Sequence, residues 1–166
     1  MLIPLLKVQK INTCLKNLNR ITFVIILTFI LFSFAFCLNY ILSFTKQYDI
    51  IFFDFQNNAK GIVPLSITTI ILAPLLETFL GQSFPYYLLR KVKYLRERSY
   101  LVLISSALFF GVLHFYSLFY IIYAFFLGLI LSYGYMVRIK NDKNAFLLIA
   151  ICHSLLNIGI FIKNLI

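Results

Sequence analysis

Tyr100 to Val137, YLVLISSALFFGVLHFYSLFYIIYAFFLGLILSYGYMV, runs for 38 residues without a formal charge. A membrane-spanning helix uses about 20 mostly apolar residues, so this stretch is two spans and not one. A tight hairpin near Tyr116 to Leu118 would divide it into two pieces of about 18 residues, each just long enough to cross.

The rest of the chain follows the same pattern outward. On the amino-terminal side lies a dense basic loop, Arg90, Lys91, Lys93, Arg96 and Arg98. Before it, Gly61 to Leu89 is apolar for 29 residues except for Glu77. At 1.5 Å per residue that is roughly 43 Å against a ~30 Å hydrocarbon core, so this helix must tilt or bend. Pro74 and Pro85 supply the places, each lacking an N–H and freeing the carbonyl four residues earlier, at Ile70 and Gly81. Ile21 to Phe44 is a first, charge-free span of 24 residues, longer than the core of a cleaved signal peptide. On the carboxyl-terminal side Arg138, Lys140, Asp142 and Lys143 mark a loop, and Ala145 to Ile162 is the fifth span.

Composition agrees. Of 166 residues 62% are hydrophobic and 12% charged, and the mean hydropathy is +0.95. A soluble domain cannot hide that ratio in one core, and disorder needs the opposite composition. The fold class is therefore all-α, a polytopic membrane helical bundle of about five transmembrane helices with no separate soluble domain. Residues 1 to 20 read as a basic amphipathic segment on the membrane surface, residues 21 to 166 as one bundle, and Thr45 to Lys60 as a mixed-charge loop. Cys14, Cys37 and Cys152 show neither disulfide nor zinc-ribbon spacing.

The net charge of +10 does not indicate nucleic acid, because the basic residues flank apolar runs instead of clustering on a solvated face. It orients the bundle. With the amino terminus cytoplasmic, inside segments hold twelve basic residues and outside ones hold only Lys46, Lys60 and Lys163. Five spans then put the carboxyl terminus outside.

Within the spans the ionisable side chains are Glu77, His114 and His153. Such groups are expensive in lipid, and they normally face the bundle interior, find partners and serve a function. Counted from the basic boundary of each span, Glu77 lies about 20 Å deep, His114 about 24 Å, His153 about 15 Å and Asn157 about 21 Å. Three helices thus bring polar groups to a similar depth. His153 and Asn157 share a face at i, i+4, as do Phe110 and His114. Gly128 and Ser132 allow close approach of a neighbouring helix.

Three chemistries suit the set. In hydrolysis, a carboxylate and an imidazole take a proton from water while a second imidazole and an amide hold the oxyanion. In a metal site, Glu77, His114 and His153 complete a three-ligand set for zinc or another divalent metal. Bis-histidine haem ligation leaves Glu77 without a role.

The segments Pro74-Leu75-Leu76-Glu77-Thr78-Phe79-Leu80-Gly81-Gln82, Phe110-Gly111-Val112-Leu113-His114 and His153-Ser154-Leu155-Leu156-Asn157 resemble, in order and spacing, the three motifs of the CPBP intramembrane proteases. That family joins type II CAAX prenyl endopeptidases to bacterial Abi and bacteriocin self-immunity proteins. Its pattern is Glu-Glu-x-x-x-Arg, Phe-x-x-x-His and His-x-x-x-Asn, and the resembling core covers about residues 61 to 162. The resemblance implies an endopeptidase of the bacterial plasma membrane acting on a membrane-associated peptide or protein. Glu77 would activate water, His114 would assist, and His153 with Asn157 would hold the oxyanion or help bind a metal. Gly128 matches the small-residue helix before the last motif. Thr78 stands where the second glutamate is expected and Gln82 where the arginine is expected. That exchange replaces a buried ion pair by two neutral groups, and it motivates an alternative in which the chain is a non-proteolytic immunity or sensor-scaffold protein of the same family.

Overall fold

A computed structural model of the chain describes residues 13–44, 62–115 and 117–165. The mixed-charge loop over Thr45 to Lys60 and most of the amphipathic segment over residues 1 to 20 lie outside the described residues. The described elements are helical throughout, as the all-α expectation requires. After a short helical piece over residues 13–17 come α1 (Arg20–Ser43), α2 (Ile62–Ile67), a π-helical turn π1 (Thr68–Leu72), α3 (Ala73–Thr78), a second π turn π2 (Phe79–Ser83) and α4 (Phe84–Leu89). The chain continues through α5 (Lys93–Glu97), α6 (Ser99–Val112), α7 (Leu118–Arg138) and α8 (Ala145–Leu165).

Among the described residues four helices are long and apolar enough to cross a membrane, over Arg20–Ile41, Leu65–Leu89, Leu118–Arg138 and Ala145–Lys163. The remaining apolar helix, α6, departs from expectation: it has 14 residues where about 18 were expected, and it ends at Val112. Leu113 to Phe115 form a turn, and the His114 amide bonds back to the Gly111 carbonyl three residues earlier, at 3.0 Å. Ser117 then starts α7, its hydroxyl accepting from the Tyr120 amide at 3.1 Å and satisfying one of the first orphan donors. The break inside the charge-free run is thus a Ser cap, and Gly111 closes the hairpin, since a Cβ there would lie 3.0 Å from the Ile121 carbonyl oxygen on α7.

Asn19 caps α1 in the same way, accepting from the Thr22 amide at 2.8 Å. One face of α1, Phe23, Leu27, Leu31 and Ala35 at steps of four, is buried against Leu131, Tyr135, Ile149 and Cys152 of α7 and α8. The opposite face leaves Ile25, Phe29 and Phe36 exposed, as lipid contact requires.

The last loop holds more than a charge boundary. Asp142 is 6% exposed, and Arg20 grips it with two parallel hydrogen bonds of 2.9 Å while Arg138 adds a third of 3.0 Å. The Arg138 guanidinium, itself buried, also donates to the carbonyls of Leu18 at 2.8 Å and Lys16 at 3.3 Å and lies over the Phe23 ring. The hydrogen bond from Arg20, followed by that from the Asn144 amide, holds the Asp142 carboxyl well below its usual range. One buried carboxylate therefore ties the start of α1 to the α7–α8 turn, a role that the loop's sequence alone did not disclose.

Candidate functional site

The second span is built around its two prolines. In π1 the Ala73 amide donates to Thr68, five residues back, and Pro74 has no amide at all. Thr69 therefore loses both helical donors, four and five residues ahead. Reading Pro74 in α-register predicts the loss at Ile70; the π turn extends it one residue further. In π2 the Phe84 amide likewise bonds the Phe79 carbonyl, so the loss caused by Pro85 extends from Gly81 to Leu80. Glu77 sits in the single α turn between these two widened ones. Widened turns of this kind absorb the excess length of the 25-residue span and are common at functional sites.

Asn157 supplies what Thr69 lacks. Its side-chain Nδ2 donates to the Thr69 carbonyl at 3.0 Å, tying α8 to π1. Along the same helix, one turn earlier, His153 reaches Glu77. Its Nε2 lies 3.4 Å from Glu77 Oε2, and His114 Nε2 lies 3.4 Å from the same oxygen. The depth count therefore brings together the groups it aligned. Both contacts exceed the 2.7–3.2 Å of a well-made hydrogen bond, which leaves the carboxylate oxygen open to a further partner. Glu77 is the most accessible of the three, with a side-chain exposure of 26% against 13% for His114 and 6% for His153.

Ending α6 early is what orients His114. Its Nδ1 lies 2.8 Å from the Phe110 carbonyl, which can only accept, so Nδ1 carries hydrogen and Nε2 is presented to Glu77. With Nδ1–H committed to Phe110, Nε2 of neutral His114 is left free to take a proton from the Glu77 side.

Phe110 does more than lend its carbonyl. Its ring centroid lies 4.6 Å from that of His114 and 5.7 Å from that of His153. A Cβ on Gly81 would fall 2.5 Å from Phe110 Cδ2, and one on Gly128 would fall 3.0 Å from its Cβ. One fully buried ring is thus wedged between glycines of two helices and backs both imidazoles. The sequence marks Gly81, Gly128 and Phe110 separately, and only packing joins them.

Thr78 and Gln82, the departures from the family pattern, are 0% and 1% exposed, and their side-chain polar atoms have no hydrogen-bond partner among the described residues. Beside them Ser83 and Tyr135 share a 3.1 Å hydrogen bond. Among the described residues, no group of three or more His, Cys, Asp or Glu side chains is arranged to hold a metal ion. The chemistry below is derived through protein groups.

Residues 59–159, which contain every residue just described at the site, match the family of Type II CAAX prenyl endopeptidase Rce1-like proteins. The chain belongs to this family. No curated protein and no solved structure matches it. Membership and the apolar helices together make it an integral membrane protein of the CAAX protease-like kind.

Proposed function

We propose that this family member is an intramembrane endopeptidase that hydrolyses a peptide bond of a membrane-associated substrate with water activated by Glu77. The observation that carries the reading is the pair of imidazole Nε2 atoms 3.4 Å from one carboxylate oxygen within the membrane-spanning bundle. Water bound at Glu77 Oε2 gives that oxygen its proton as it attacks the peptide carbonyl. His114, its tautomer fixed by the Phe110 carbonyl, takes up the proton through Nε2 and returns it to the departing amine. His153 Nε2 and the second amide hydrogen of Asn157 are the donors for the oxyanion. Neither is displaced by binding, because Asn157 is anchored on Thr69 and His153 is packed on Phe110. Preorganised donors in a water-poor site contribute most of the acceleration in acyl transfer.

The basic loops belong on the cytoplasmic side in this reading, in line with their charge. The test is cleavage of a membrane-associated peptide by purified protein in lipid vesicles. Glu77→Gln should lower the rate by about 10² to 10⁴, the range of general acid–base catalysis, and full activity in that variant would overturn the mechanism. Activity that survives a strong chelator supports the protein-only route, whereas loss restored by zinc would assign Glu77, His114 and His153 to a metal.

The neutral, buried Thr78 and Gln82 favour a second reading, a membrane immunity or scaffold protein without proteolysis. It predicts that Glu77→Gln and His114→Ala both keep protection or signalling in cells.

A further inference from the structure

A cavity of about 400 Å³ opens on the face that carries the basic loops, between the helical piece over residues 13–17, the start of α6 and the end of α7. Lys16 and Lys140 line it, both exposed, with Ser99 and Tyr100 at the start of α6 and with Leu103 and Met136 among its apolar walls. No acidic residue lines it. Among the described residues neither lysine has a carboxylate within ion-pair distance, unlike Arg20 and Arg138 beside it. The backbone of Lys16 is pinned, because its carbonyl accepts from Arg138, so the clasp on Asp142 also fixes one wall of the cavity.

Tyr133 is shared with a second cavity of about 360 Å³, a groove between α1 and α7 lined by Ile26, Ile30 and Ile130. A cationic chamber at the membrane boundary thus adjoins an apolar groove that descends into the bilayer zone. Neither half suits a soluble anion or a neutral lipid alone: the lysines ask for negative charge, and the groove asks for a hydrocarbon chain.

We infer that this pair of cavities binds one anionic glycerophospholipid, its phosphate headgroup between Lys16 and Lys140 and an acyl chain along Ile26, Ile30 and Ile130. None of the residues that line it belongs to the groups assigned to hydrolysis. Its occupant would brace the helical piece over residues 13–17 against α6 and α7.

The test is native mass spectrometry of the purified full chain released from vesicles of phosphatidylglycerol and phosphatidylcholine in equal amounts. One retained phosphatidylglycerol, preferred over phosphatidylcholine, is expected. Each of Lys16→Gln and Lys140→Gln should reduce that preference about fivefold, the worth of one basic residue near an anionic lipid surface. Lys93→Gln, on the same face but outside the cavity, should leave it unchanged. Leu103→Trp, which fills the chamber while keeping both lysines, should abolish retention with helicity preserved by circular dichroism. Equal retention of both lipids by the unsubstituted chain, or a preference that survives the double lysine variant, would overturn the site. Displacement of the lipid by inorganic phosphate alone would overturn the role of the acyl groove.

Discussion

Asn157 on α8 donates its side-chain amide to the main-chain carbonyl of Thr69, 88 residues away, at 3.0 Å. The bond answers a need created by a proline on the other helix. Pro74 cannot donate, the Ala73 amide is committed to Thr68, and in lipid no water substitutes for the missing partner. The final polar residue of the last motif is therefore a structural tie for the span that carries Glu77 as well as a candidate donor to the reaction.

That tie predicts an energetic coupling between two residues with no side-chain bond to each other. Asn157→Ala should destabilise the protein by about 1–3 kcal/mol, the cost of a buried acceptor left unsatisfied. Pro74→Ala restores an N–H near Thr69. In that background Asn157→Ala should cost measurably less, and thermal unfolding of the four proteins in one detergent reads the difference. Strictly additive losses would show that Asn157 does not answer the proline.

The Phe110 wedge leads to a second expectation. Because the ring fills the space left by Gly81 and Gly128 and backs both imidazoles, a methyl group at either glycine must move it. Gly128→Ala should cost about 1–3 kcal/mol by overpacking. If hydrolysis is the function, kcat should fall further than stability accounts for, since the histidines shift with the ring. Phe110→Leu would relieve the clash in the Gly128→Ala background while leaving the histidines less supported.

Asp142 carries a pH dependence whose sign is fixed by its lowered folded-state value. A carboxyl held below its unfolded value near 3.9 contributes stability above that pH and loses the contribution as pH falls toward the folded value. Apparent Tm should therefore drop below about pH 4 in the native chain. Asp142→Asn should flatten the acid limb and lower the stability at neutral pH by about 3 kcal/mol, the cost of breaking its buried pair with Arg138. An acid limb that is unchanged in Asp142→Asn would place the sensitivity elsewhere.

Much of this layout is legible in the sequence, for physical reasons that also explain what is not. Charge-free stretches report spans because lipid excludes charge, and a depth count brings Glu77, His114 and His153 together because a helix rises uniformly. The count does not foresee the π turns, since register depends on how a whole span meets its neighbours, and so it leaves Thr69 unmarked as the partner of Asn157. Arg138 and Asp142 look like an ordinary solvated loop because their burial is made by residues more than a hundred positions away. The 14-residue length of α6 was equally hidden, for Ser117 signals where α7 starts but nothing comparable marks the end at Val112.

Gln82 offers the sharpest separation between the two functional readings, because its environment is extreme. It is 1% exposed, with neither its Oε1 nor its Nε2 bonded to any described protein group, one turn from the equally buried Thr78. Burying an amide without partners costs about 1–3 kcal/mol on protein scales, so Gln82→Met, of similar volume and apolar, should hold or raise the apparent Tm. Restoring the charged pair tests the same space from the other side. Thr78→Glu and Gln82→Arg should each be strongly destabilising alone, since each buries an unpaired charge. Together they should recover about 0.5–3 kcal/mol of the summed loss through their mutual attraction across one turn. A double variant that cleaves peptide faster than the native chain would mean that the neutral pair limits hydrolysis. One that folds as well but loses protection in cells would mean that Thr78 and Gln82 serve binding.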